Sequence, residues 1–147
     1  MNNTTYRNAI GFEDIPTFHD AELIKIEHHP SERELQLQFQ RVGGTTGTFR
    51  FTGVVSQRMV DFAEQNVVSR LLISPAYRFS TAEVGQWLSW VDGRVDSRSP
   101  VVDVSRITRC VEDLAAGRRA LFVLEPSCGA EGVVLCEAIE LCLETDA

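Results

Sequence analysis

A chain of 147 residues with 44% apolar and 24% charged side chains has the balance of one ordinary globular domain, residues 1–147, able to bury roughly two-thirds of its unfolded surface. Its formal charge of -7 argues against general affinity for nucleic acid, whose phosphates repel an acidic surface. It has no run of about 18 apolar residues to span a membrane, and Met1 through Arg7 lack the apolar run of a secretory signal, so the expected location is cytoplasmic.

Residues 1–18 are polar and mixed, and read as a lead-in ordered only where Ile10, Phe12, Ile15 or Phe18 reach the core. Ala21 to His28 then reads as a first strand, with Ile24 and Ile26 on one face and Leu23 and Lys25 on the other. A turn follows at 29–33, where Pro30 presets its own backbone angle. In Glu34–Gln40 the apolar Leu35, Leu37 and Phe39 alternate with glutamines, so a pleated strand puts all three on one face, which no helix could do. Gly43 to Gly47 turns the chain into a third strand that starts at Phe49 and Phe51 and runs toward Val54 and Val55. Three strands with two short turns predict an antiparallel meander, the layer on which the helices are expected to pack.

The segment 54–63 fits either period and is read as a strand, as is the β-branched run 67–73. Ser80-Thr81-Ala82-Glu83 is a capping box that opens a helix with the stripe Val84, Trp87, Leu88 and Val91, ending at Gly93. Ser99-Pro100 signals a second helix, with Val104, Ile107, Val111 and Leu114 as its stripe, Arg109 and Asp113 on its solvated side, and Gly117 at its end. Ala120 to Leu124 is a short apolar run, the mark of a strand buried on both faces. Val133 to Leu143 is read as its hairpin partner, with Leu135, Glu137, Ile139, Leu141 and Leu143 on one face and Cys136, Ala138, Glu140 and Cys142 on the other. The expected fold is therefore α+β: an antiparallel sheet of about six or seven strands, meander plus C-terminal hairpin, with two helices packed on it.

Among residues that could carry chemistry, His19, Asp20 and Glu22 stand first, because imidazole and carboxylate groups together can bind a divalent ion. They form none of the usual metal-ligand spacings, and the competing expectation is that they fix the start of the first strand. Gly43 to Gly47 lacks the lysine and following helix of a phosphate loop, so it reads as a hairpin turn. Cys128 could be a loop nucleophile only with a base beside it. With Cys110, Cys136 and Cys142 it shows no C-x-x-C pair, and the four are expected to be thiols rather than a disulfide framework. Between Val91 and Arg119 six arginines stand among five acids, so they read as a mixed-charge face.

The last 28 residues hold the acids Glu125, Glu131, Glu137, Glu140, Glu144 and Asp146 and no Lys or Arg. Such a segment could complement a basic partner and speed its capture. Trp90, at the edge of its helical stripe, could anchor that contact.

Phe18-His19-Asp20-Ala21-Glu22-Leu23, followed by Leu35-x-Leu37-x-Phe39 and Phe49-x-Phe51-x-Gly53-Val54, resembles a group of small bacterial domains of unknown function, over the first half of the chain. Some members of that general type are immunity-like proteins that neutralise a toxin by binding it. The resemblance implies a compact binding protein and supplies no catalytic residues. The expected function is thus a non-catalytic protein-binding module, immunity- or antitoxin-like, with a basic protein partner, no cofactor, and a monomeric or homodimeric state. The alternative is a small-molecule or metal site, of a binding protein or an enzyme, around His19, Asp20 and Glu22. A third possibility is a self-associating structural protein.

Overall fold

In the computed structural model, which describes residues 2–7, 15, 17–93 and 103–145, Leu35, Leu37 and Phe39 lie on one face of their strand, each 1% exposed or less. Phe49 and Phe51 of the next strand point the same way, and the Phe49 ring meets that of Phe39 edge to face. The strands are β1 (Asn2–Arg7), β2 (Glu22–His29), β3 (Glu34–Gln40), β4 (Thr46–Thr52), β5 (Ser56–Val60), β6 (Val67–Ile73), β7 (Ala120–Cys128), β8 (Glu131–Cys136) and β9 (Ala138–Thr145). Helices α1 (Thr81–Val91) and α2 (Val104–Ala115) lie between β6 and β7. All pairings are antiparallel, in the order β1-β9-β4-β3-β2-β6-β7-β8-β5.

This nine-stranded sheet exceeds the expected six or seven strands for two reasons. First, β1 arises in the stretch read as a lead-in: Asn-Asn-Thr-Thr-Tyr-Arg has no apolar alternation, and it is extended because it hydrogen-bonds along the edge of β9. Second, the run expected as one hairpin strand from Val133 to Leu143 divides at Glu137. Its first part pairs with β5 and β7, its second with β1 and β4. At that corner the Glu137 amide bonds to the carbonyls of Thr52 and Gly53. One residue is taken out of the alternation there, so Leu135 and Ile139, expected on one face, join different clusters, while Cys136 and Ile139 share one.

The corner folds the sheet into two halves. The half β1-β9-β4-β3-β2 packs its apolar face on the half β6-β7-β8-β5, with Phe122 of β7 meeting Phe49 and Phe51 at ring-centre distances of 5.2 and 4.9 Å. The other face of β6-β7-β8 presents Leu72, Leu121, Val123, Val133 and Leu135 to Val84, Leu88 and Val91 of α1 and Cys110 of α2. The helices therefore cover β6 to β8 and not the meander. β7 lies between the two clusters, which is why five consecutive residues, Ala120 to Leu124, are buried.

Local rules account for most of the rest. Ser80 and Glu83 form the expected capping box, with Glu83 N donating to Ser80 Oγ (3.1 Å) and Ser80 N to Glu83 (2.9 Å). α2 is capped by Asp103; the Ser99-Pro100 start signal lies outside the described residues. Val104 is 75% exposed at the first position of α2, so the stripe begins at Ile107 and includes Cys110. Asp113 pairs with Arg118 (2.8 Å). In β2 a bulge between Leu23 and Lys25 turns both Leu23 and Ile26 inward and leaves Ile24 44% exposed, so the expected Ile24/Ile26 face does not form.

The cysteines are free. Burial pushes the Cys136 thiol up to about 12 and raises that of Cys110, whereas Cys128 is exposed. Iodoacetamide at about pH 8 is therefore expected to label Cys128 in the folded protein and Cys110 and Cys136 only after denaturant is added. Peptide mass spectrometry checks this, and rapid native labelling of Cys136 would contradict the packing of β7 on β8.

Candidate functional site

Because the first half-sheet buries one face, period-two alternation sends every other side chain of its strands to the opposite, outer face. The pairing registers set these in rows. One row runs Thr5, Cys142, Thr48, Gln38, Lys25, and the next Arg7, Glu140, Arg50, Gln36, Glu27. Gln36, Gln38 and Thr48, with Lys25 and Glu27, line a shallow depression of about 100 Å³ at its middle. Glu34 lies beside them, and Glu144 is exposed one row further along β9.

Charge on this face is organised as a lattice. Arg7 pairs with Glu140 (3.2 Å), Lys25 with Glu27 (2.7 Å), and Arg50 with Glu34. The Arg50 hydrogen bond holds the Glu34 carboxyl below the usual carboxylate range, and Lys25, then His29, do the same for Glu27. These groups are partly solvated, so each pair adds little stability. What the lattice does is fix the orientation of long side chains on a flat strand surface. The face can offer carboxylates, guanidinium and amide groups at set spacings, which suits recognition of a polar surface.

The acidic residues singled out in the sequence do not form one patch. Glu140 and Glu144 are on the outer face of the first half-sheet. Glu125 and Glu131 alternate with inward residues of β7 and β8 on the helix side of the second half-sheet, across the sandwich. Glu137 sits at the corner and takes Arg33 (3.4 Å). Glu125 holds Arg70 through both oxygens (2.7 and 3.2 Å). Asp146 lies outside the described residues. Trp90 is half-buried: Arg58 lies over its ring at 4.6 Å and donates to its carbonyl (2.8 Å).

His19 Nδ1 donates to the carbonyl of Ser69 (2.8 Å), and its Nε2 is 3.6 Å from Asp20. Asp20 has a left-handed backbone (φ 64°), and its amide bonds to Val68. These contacts tie the entry of β2 to β6, the structural role weighed against the metal role. Glu22 starts β2 in register with Gln40 and Val67. Among the described residues no three His, Cys, Asp or Glu side chains gather closely enough to hold a metal ion.

The chain matches no family model, no curated protein and no solved structure. Sequence reasoning missed Arg7, Arg50 and Glu34 as site residues. The available signal was the alternation that singled out Leu35, Leu37 and Phe39, since its complement is the outer face. No helix among the described residues is long and apolar enough to cross a membrane.

Proposed function

We infer that this protein is a non-catalytic binding module that takes a basic protein partner on the outer face of its first half-sheet. The observation that carries this is the in-register polar surface drawn from five strands, whose polar groups are already held in place by ion pairs. A surface ordered before binding loses little side-chain entropy when a partner docks. Four carboxylates there (Glu27, Glu34, Glu140, Glu144) face three cations (Arg7, Lys25, Arg50), and the whole chain carries -7, so a basic partner is steered toward it. An immunity- or antitoxin-like role, neutralising a basic toxin by covering it, fits such a surface.

The test is capture from the source organism's lysate at low and high salt, with Thr48→Arg and Glu144→Arg as face variants. Glu131→Gln, across the sandwich, is the control. One stoichiometric partner is expected, eluting as salt rises, bound at least tenfold more weakly by the face variants and equally by the control. No partner at either salt, or one insensitive to Thr48→Arg, overturns this reading.

A further inference from the structure

The two half-sheets are joined at β2 and β6 by one register pair, Glu22 with Val67, and by backbone bonds that reach only Val68. Beyond it β6 parts from β2, and Ser69, Arg70, Leu71 and Ile73 line a cavity of about 320 Å³ together with Phe18, His19 and Tyr77. That volume is at the small end of ligand pockets, about 300–1,000 Å³. Phe18, Leu71 and Ile73 make its walls apolar.

Its polar groups are held from behind. Glu125 grips the Nε and Nη2 of Arg70, so the Nη1 amino group is the part of that guanidinium without a protein acceptor among the described residues. Glu83 accepts the Tyr77 hydroxyl (2.5 Å) and the Ser80 amide (2.9 Å) through its two oxygens. Glu125 and Glu83 are thus spent on protein donors, and the Asp20 carboxylate faces the His19 Nε2 at 3.6 Å. His19 is fixed through Ser69, and Thr17 Oγ1 accepts the His19 amide, which leaves the Thr17 hydroxyl hydrogen to donate. What remains at the cavity is a buttressed cation and a hydroxyl donor beside apolar walls. A guanidinium with a second pair of N–H groups open is suited to a carboxylate.

We propose that this cavity binds a small carboxylate with an apolar body, its charge on Arg70 Nη1 and its body against Phe18, Leu71 and Ile73. The site is separate from the outer face and does not depend on the partner assigned to it.

Benzoate is the probe, titrated into the ¹⁵N-labelled protein while amide shifts are followed. Saturable shifts are expected at Ser69, Arg70, Leu71 and Tyr77. Binding is expected to weaken at least tenfold for benzyl alcohol, which lacks the charge, for acetate, which lacks the body, and for benzylamine, which reverses the charge. The double variant Arg70→Gln/Glu125→Gln removes the cation without stranding its partner and is expected to lose binding to the same degree. Ala76→Trp fills the cavity from an exposed turn residue, leaves the core untouched, and is expected to abolish the shifts. No saturable shift with benzoate, equal binding of benzylamine, or unchanged affinity in Ala76→Trp would each overturn the proposal.

Discussion

Replacing Phe49 by alanine is expected to cost about 3–5 kcal/mol, the range for a large aromatic removed from a packed core. Phe49 is fully buried on β4 and its ring meets four others: Phe18 and Phe122 at 5.2 Å, Phe39 at 5.8 Å and Phe51 at 6.2 Å. The lost ring leaves a void that its neighbours cannot close, because β3, β4 and β7 are each hydrogen-bonded on both sides. Domains of this kind are stable by about 5–15 kcal/mol, so the change removes a large share of the total. Guanidinium unfolding should show the midpoint falling with the slope unchanged. Phe62, 54% exposed, is the control, where alanine should alter stability by no more than about 0.5 kcal/mol. A loss at Phe49 below about 1.5 kcal/mol would mean that the half-sheets do not pack through this cluster.

Asn66→Ala is expected to cost about 2–4 kcal/mol, through hydrogen bonds rather than volume. Asn66 is a polar side chain 4% exposed, at the point where three segments meet. Its Oδ1 accepts from the amides of Ala63 (2.9 Å) and Ala130 (3.0 Å), its Nδ2 donates to the Ala63 carbonyl (2.7 Å), and its own carbonyl accepts from Leu23 (2.8 Å). Ala63 is exposed and can turn to water, so most of the cost falls on the buried Ala130 amide. Water cannot easily replace the lost oxygen. Gly129 beside it has a left-handed backbone (φ 78°), and a Cβ there would lie 2.3 Å from the Gln65 carbonyl. Denaturation gives the cost, and hydrogen exchange tests the mechanism, since the Ala130 amide should lose protection before its neighbours in β8. Unchanged protection at Ala130 would refute it, and Gln65→Ala, exposed and next in sequence, should be nearly neutral.

The candidate surfaces were legible only in part. The alternation at Leu35, Leu37 and Phe39 implied the polar complement that forms the outer face. Lys25–Glu27 on it is a local pair, but Arg7–Glu140 and Arg50–Glu34, and the Arg33–Glu137 and Arg70–Glu125 pairs elsewhere, join different strands, 104 and 55 positions apart for the last two. No local pattern encodes such pairs. Glu125 and Glu140 read as one acidic segment and lie on opposite sides of the sandwich, because the corner at Glu137 carries the chain from one half-sheet to the other.

By itself, the sequence determined the features that depend on nearest neighbours along the chain. These are the inward face of β3, the meander β2-β3-β4, the capping box at Ser80, the double burial of Ala120 to Leu124, and hence the α+β antiparallel class. Each follows from a two-residue alternation, a short turn, an unbroken apolar run or a hydrogen bond spanning three positions. Only the tertiary structure decided that Asn2–Arg7 is a strand, that Ile24 is bulged outward, that Val133 to Leu143 divides at Glu137, and that the helices cover β7 rather than the meander. In each case the deciding interaction comes from residues distant in sequence. β9 supplies the hydrogen bonds for β1, the fixed register of Phe39 and Leu37 forces the bulge, Thr52 and Gly53 hold the corner, and β7 has a second apolar face to bury.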